Sequence, residues 1–577
     1  MQVSGLALVL VACTQSPIKA VDDQHADLVL TNARVYSLSW DEPSPNGKPA
    51  PGAPHTPQGW HPDAEAVAIR AGEIIYVGNV QEALRFSGDA THVVDVAGNT
   101  VIPGLVDSHT HIFGLGAKLS QVDLTDVATE QEAVALVAER AKTVAKGDWI
   151  IGRGWDEGAW ADRYPDKALL SHTVPDHPVV LNSLHGFAAW VNQATLDKGH
   201  ITAHSEIPVG GDMRLGDDGK PNGLFLNNAT NMIKAIVPSP THDTLTRHAL
   251  AGLHQMAKDG YVTVHDAGLD TAMMRVLEQL ESENRLPIRV YAMLSLRDEG
   301  LIKKWIAKGP DTDNDSMLVT RSVKAYYDGA LGSRGARLLE DYEDRPGHRG
   351  VSGDDYGFNQ KLNAEVMKAG FQIGIHAIGD AGNRESLDIL EAVFNANSST
   401  AGNRHRIEHA QIIHPDDIPR LGQLNLIASM EPPHAMEDKA WAEDRLGKDR
   451  MSGAYAWRSL RQNKARLTFN SDNPGSDHNI FYGLHSAITR QDKKYEPEGG
   501  WYPQQKMSAE EAVRGYTNWS AYASFRENET GKIEKGRWAD LTIINIDPFV
   551  LAEKDPGAIL DGKILTTIVN GKVVYKH

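Results

Sequence analysis

Val101-Ile102-Pro103-Gly104-Leu105-Val106-Asp107-Ser108-His109-Thr110-His111 is an apolar run that ends in two histidines one residue apart. On an extended strand, positions i and i+2 face the same side, so both imidazoles can reach one ion. Alone the pair is weak, because a chain with 24 histidines is expected to contain an H-x-H roughly once by chance. Its position gives it weight: barrel enzymes gather their sites at the C-terminal ends of the strands.

Seven further apolar runs follow: Tyr261–Asp266, Ile288–Leu294, Val323–Tyr327, Phe371–His376, Arg406–His409, Leu426–Met430 and Leu467–Asp472. Between many of them lie stretches with apolar residues at helical spacing, Thr241–Lys258, Thr271–Ser282, Leu362–Lys368 and Asn383–Ala396. This alternation implies βα units around a parallel sheet, and eight strands imply an α/β chain with a (β/α)8 TIM-type barrel over 101–525. An insertion at about 115–255 interrupts it, with a helix opened by the capping box Thr129-x-x-Glu132 and closed near Gly147; a substrate lid is expected there.

Outward from the barrel, Ala26–Leu38, Ala66–Arg70, Glu73–Gly78 and His92–Val96 read as strands, as do Ala539–Ile546 and Ile564–Tyr575 with the turn Asn570-Gly571. Neither end has enough strands to bury a core alone. A discontinuous small β-sandwich domain, formed by the N- and C-terminal segments 26–100 and 526–577, is therefore expected. Asp41–Asp63, dense in Pro and Gly, is expected to be a surface loop without regular structure.

The chain has 577 residues, a net charge of −18, and 41% hydrophobic residues. That balance argues against a general nucleic-acid binder, which needs a basic footprint, and leaves a small-molecule substrate as the expected partner, with homo-oligomers open. The single Cys13 excludes an intrachain disulfide and a cysteine-based zinc site. It closes an apolar run, and Leu10-Val11-Ala12-Cys13 resembles a bacterial lipobox, although Met1-Gln2 lacks the usual basic start. Residues 1–25 are accordingly expected to be a signal peptide and tether of an exported lipoprotein, periplasmic or anchored at the outer membrane through lipid on Cys13. The alternative is a cytoplasmic chain with an inert cysteine.

Polar groups recur where later strands end: His376, His409 and Asp472. Lys324 lies in an apolar stretch, where a buried ammonium is costly unless paired or neutralised. His405 and His409 do not make a zincin motif, because Glu408 does not follow the first histidine directly. His265, at the end of the second strand, reads as a core histidine.

With these residues in that strand order, the chain resembles the metal-dependent amidohydrolase superfamily, and within it the amidohydrolase-3 group of exoenzyme-like hydrolases. The resemblance is carried further by Asp328-Gly329-Ala330-Leu331-Gly332-Ser333-Arg334, Gly154-Trp155-Asp156, Ser429-Met430-Glu431-Pro432 and the closing stretch Gly531–Leu541. It implies a binuclear centre: His109 and His111 on one divalent ion, His376 and His409 on the other, Lys324 bridging as a carbamate made with carbon dioxide, and Asp472 as ligand and proton shuttle. One or two zinc ions are expected, with iron, manganese and nickel as alternatives. The implied activity is hydrolysis of a non-peptide C–N bond by a metal-bound hydroxide. Esterase, lactonase or deaminase chemistry, or a non-catalytic binding protein, are the alternatives on the same fold. Trp155, Asp156, Arg334, Glu431, His434 and Asn473 are candidate substrate contacts. Departures from relatives fall in the insertion, at Phe187 and at Asn227, and bear on the substrate pocket.

Overall fold

The computed structural model describes residues 25–125, 127–155, 164–183, 188–208, 211–227, 229–313 and 317–577. Among them, eight strands form one sheet: β1 (Leu105–Thr110), β2 (Tyr261–Leu269), β3 (Arg289–Ser295), β4 (Leu318–Tyr326), β5 (Gln372–Ala377), β6 (Arg406–His409), β7 (Ile427–Met430) and β8 (Arg466–Phe469). Each neighbouring pair is parallel and follows sequence order. Parallel strands are covered on both faces and so read as continuous apolar runs; all seven residues of β3 are buried.

The sheet nearly closes on itself. The Ser108 hydroxyl donates to the Phe469 carbonyl at 3.1 Å, and the Asp472 N–H donates to the His109 carbonyl at 3.0 Å. The result is a mixed α/β chain with an eight-stranded parallel barrel, as the strand count implies.

The opening run is two strands rather than one. Thr100–Pro103 pairs antiparallel with Leu541–Ile544 from the far end of the chain, and only Leu105–Thr110 enters the barrel. Gly104 makes the hand-over. A Cβ there would collide with the Val262 side chain and sit 3.0 Å from the Asp540 backbone, so the two strands can approach only without one.

The terminal segments form a five-stranded sheet (Arg34–Val35, Thr100–Pro103, Leu541–Ile544, Ile564–Val569, Lys572–Lys576) and a four-stranded sheet (Leu28–Thr31, Ala66–Arg70, Glu73–Gly78, His92–Asp95). Asn570 and Gly571 both take positive φ, 50° and 70°, the two-residue hairpin geometry that Asn-Gly favours. Under the barrel, the Arg289 guanidinium donates from Nε to Asp540 Oδ2 at 2.8 Å and also reaches Asn570, which ties the C-terminal strands to β3.

Local departures have local causes. Both arms of the Thr129/Glu132 capping box are made, but the helix is Glu130–Ala141, capped at Lys142 rather than near Gly147. Asp41–Asp63 holds a short ladder, His55–Thr56 against Gly59–Trp60, where the Trp60 ring packs on Phe549 at 5.2 Å. The inserted segment has a six-stranded sheet of its own and an apolar cluster that includes Trp155, Leu181 and Trp190. It is a folded unit with its own core.

Candidate metal centre

His109 sits on β1 with its side chain fully buried. Its Nδ1–H donates to Glu408 Oε2 at 2.6 Å, which fixes the tautomer and leaves Nε2 as an acceptor. From β4, the Lys324 amine reaches that Nε2 at 2.9 Å. His111 lies just past β1, where it precedes the helix Ile112–Ser120; its Nδ1–H donates to the Ala267 carbonyl at 2.9 Å. Its Nε2 stands 3.0 Å from Asp472 Oδ1, which is also 3.6 Å from His109 Nε2.

β5 and β6 bring His376 and His409 beside this pair. Their ring centroids are 4.4 Å apart, and the His409 ring lies 5.2 Å from that of His109. Two of these positions take left-handed backbone, His409 at φ 72° and Asp472 at φ 51°. Non-glycine residues rarely hold that conformation, which costs on the order of 1 kcal/mol or more and persists at functional sites where surrounding structure enforces it. All six residues expected to bind metal are thus brought together: His109, His111, Lys324, His376, His409 and Asp472.

The electrostatics suit cation binding. Burial, reinforced by Lys324, lowers the His109 imidazole to about 4 despite Glu408. Burial and the neighbouring His409 and Lys324 push His376 well below its ordinary range, so it is neutral. Burial also lowers the Lys324 amine, an effect opposed by Glu408, Asp472 and Glu431. For Asp472 burial acts upward, but the hydrogen bond from His111 and the surrounding imidazoles hold its carboxyl well below the usual range.

The donor set fits a divalent transition ion. Imidazole nitrogens and carboxylate oxygens are its common ligands, and one ligand atom from each of His109, His111 and Asp472 lies within 4.8 Å of the others. His376 Nε2 is buried without a hydrogen-bond partner, as befits a nitrogen reserved for a metal. A second group with the same spacing is His409, Glu431 and His434.

The candidate substrate contacts divide. Glu431 and His434 border the centre, with Glu431 Oε2 3.2 Å from His409 Nδ1. Burial works to raise the Glu431 carboxyl, but His409 and His434 bring it down to about 2. His434 is pushed up to about 10: burial opposes this, and Asp438 and Glu431 outweigh it. Asn473 is buried beneath the mouth, where its amide donates to Ser471 Oγ at 3.2 Å and its carbonyl receives the His111 N–H at 2.9 Å; it shapes the loop. Trp155 is buried within the inserted unit, with its indole N–H on the Leu181 carbonyl at 2.8 Å, so it belongs to that unit's packing. The Arg334 guanidinium forks onto Asp344 at 3.0 and 2.8 Å and is committed to that pair. Asp156, Phe187 and Cys13 lie outside the described residues.

Sequence reasoning assigned no role to Glu408, Arg406 or Asp328. Arg406 and Glu408 alternate on β6, and the arginine binds the Glu408 carboxylate, the Ser108 carbonyl and the Ser429 hydroxyl while donating to His265 Nδ1 at 2.9 Å. His265 is thus a core histidine, as expected. Two opposite charges at i and i+2 in an apolar strand were the available signal, since neither can be buried unpaired. Asp328 accepts the N–H groups of Ile378, Gly379 and Arg337 and stands 3.7 Å from His376 Nε2.

Comparison with known proteins agrees with this geometry. A family model described as the amidohydrolase family matches residues 92–575. The chain is 29% identical over 524 residues to the putative amidohydrolase YtcJ of Bacillus subtilis, covering 89% of this chain and 96% of that one. It is 25% identical over 530 residues to the N-substituted formamide deformylase of Arthrobacter pascens, covering 89% and 95%. Among solved structures, an uncharacterized metal-dependent hydrolase from Pyrococcus furiosus superposes with a TM-score of 0.71 at 25% identity, covering 90% of this chain and 99% of that one.

Proposed function

We propose, from the premise that this chain belongs to the amidohydrolase family, that it is a metal-dependent hydrolase acting on the C–N bond of a small non-peptide amide, such as an N-acyl, N-formyl or cyclic amide. The observation that carries the reading is the convergence of His109, His111 and Asp472 on one point, with Lys324, His376 and His409 against it. The relative named N-substituted formamide deformylase supports an amide among the bonds this fold can cleave.

His109 and His111 would hold one divalent ion, His376 and His409 a second, with Lys324 bridging as a carbamate and Asp472 completing the set; zinc suits these ligands first. Such ions lower the pKa of coordinated water to roughly 7 and polarise a carbonyl. The chain's own residues do the rest. Glu408 and the Ala267 carbonyl take the Nδ1 protons of His109 and His111 and keep their Nε2 atoms aimed inward. Asp472, held ionised, takes the proton of the attacking water at Oδ1 and delivers it to the leaving nitrogen as the C–N bond breaks.

A panel of N-formyl, N-acyl and cyclic amides, set against esters and aminopurines, tests the reading on zinc-loaded chain. Amide turnover that is absent in His376→Ala is expected. Turnover confined to esters or aminopurines would replace it with another hydrolase, and no metal uptake would end it.

The two terminal sheets are read as one small β-sandwich, supported by the apolar cluster that Leu30, Val67, Val101 and Leu541 share. Export with lipid on Cys13 is proposed from the lipobox resemblance. No helix among the described residues is long and apolar enough to cross a membrane. Continued membrane retention of Cys13→Ala would contradict the lipid anchor.

A further inference from the structure

We propose that the divalent ion at His409 is bound through Nδ1 together with Glu431 and His434, in place of an ion shared by His409 and His376, so that Glu431 and His434 are metal ligands rather than substrate contacts. The inference deepens the function proposed above and rests on it only for the presence of divalent ions at the centre.

Three observations carry it. His409 Nδ1 and Glu431 Oε2 are 3.2 Å apart with side chains 3% exposed, yet Nδ1 makes no hydrogen bond, because the two atoms do not point at each other. Donor atoms on a shared ion look like this. Tetrahedral bonds of 2.0–2.1 Å set neighbouring ligand atoms about 3.3 Å apart, each directed at a third point. The other carboxylate oxygen, Oε1, is also buried without a partner. Neither His409 Nδ1 nor Glu431 Oε1 is compensated by a hydrogen bond among the described residues.

His434 is oriented for the same point. Its Nδ1 is 3.9 Å from Glu431 Oε2, and its Nε2 faces Asp438 Oδ2 at 3.4 Å. Asp438 is itself fixed by the Tyr455 hydroxyl at 2.7 Å and the Gln411 amide at 2.8 Å. A carboxylate behind one ring nitrogen frees the other for metal, the relation Glu408 has to His109.

Access is available as well. The His434 side chain is 26% exposed, whereas His409 and Glu431 are sealed, so an ion and a water ligand can enter from the His434 side. With one carboxylate and two imidazoles, the position suits zinc or cobalt(II) with a fourth ligand left open.

The test measures metal, not turnover. Full-length chain is saturated with cobalt(II) or zinc, freed of excess metal, and read by ions per chain and by the cobalt visible spectrum. Glu431→Gln and His434→Ala are each expected to lose one equivalent relative to the unsubstituted chain, and Asp438→Asn to weaken that equivalent about ten- to hundred-fold. Anomalous diffraction from the zinc-loaded, unsubstituted chain avoids any folding defect: an ion bonded to Glu431 and His434 is expected. An ion held only by His376, Lys324 and His409, or variants that keep the full stoichiometry, affinity and spectrum, would overturn the assignment. Amide turnover surviving that result would leave the proposed function standing, so the two can fail separately.

Discussion

Glu408 Oε2 receives the Nδ1–H of His109 at 2.6 Å, so a carboxylate on β6 sets the tautomer of the imidazole on β1. The same carboxylate neutralises Arg406, whose Nε lies 2.7 Å from Oε1 with both side chains fully buried. Glu408→Ala leaves that guanidinium without its counter-charge, and about 3–5 kcal/mol of stability is expected to go, read by denaturant unfolding. Glu408→Gln keeps the shape, and its effect should appear as metal affinity weakened about 10- to 100-fold. Metal binding unchanged in Glu408→Gln would mean that the carboxylate does not orient His109.

Asp472→Asn retains the side-chain volume and removes the proton acceptor. Because the Asp472 N–H that closes the barrel on the His109 carbonyl belongs to the backbone and survives the substitution, the thermal midpoint should stay close to that of the parent. Turnover should fall by roughly 10²- to 10⁴-fold in kcat, the usual worth of a positioned acid–base group. A loss seen only in KM would move Asp472 from proton transfer to binding.

Much of this centre was legible because metal ligands are typed by chemistry and placed by strand ends. Histidine, lysine and aspartate in apolar strands and at their ends imply convergence once the strands are counted, and each of the six lies beside at least one of the others. Glu431 and His434 were legible as rim residues, but whether a rim side chain faces substrate or ion depends on rotamers that no spacing encodes. Trp155 and Arg334 were named from motifs alone, and motifs do not show which partners a side chain finds: the indole packs into the inserted unit on the Leu181 carbonyl, 26 residues on, and the guanidinium pairs with Asp344, 10 residues on. The break at Gly104 was hidden because two consecutive buried strands in different sheets read as one apolar run.

The terminal segments bear on barrel stability through Arg289 and Asp540, whose side chains are 5% and 0% exposed. Asp540→Ala strands a buried guanidinium on β3 and should cost about 3–5 kcal/mol. The site lies at the opposite ends of the strands, so kcat at a temperature where the variant is folded should be near that of the parent. A large kcat loss without destabilisation would show that the base of the barrel communicates with the metal centre.

His478 gives the stability a pH dependence. Burial pulls its imidazole down, but the hydrogen bond to Asp259 at 3.0 Å outweighs this and leaves it above its ordinary value. The folded chain therefore holds this proton more tightly than the unfolded one. The contribution is complete below the unfolded value of about 6.5 and disappears as pH rises through the folded value. His478→Phe should cost up to about 1 kcal/mol more at about pH 6 than at about pH 9. A cost independent of pH would remove the ionic part of this contact.

The antiparallel pairing of Thr100–Pro103 with Leu541–Ile544, with the Leu105 N–H on the Thr542 hydroxyl at 3.2 Å, has a consequence for biogenesis. The strand that carries His109 finds its lower anchor 437 residues later, after nearly all of the polypeptide has left the ribosome. Cotranslational folding must therefore hold this strand's base unpaired until synthesis is almost over, and a prematurely terminated polypeptide would expose an apolar edge for quality-control proteases to recognise.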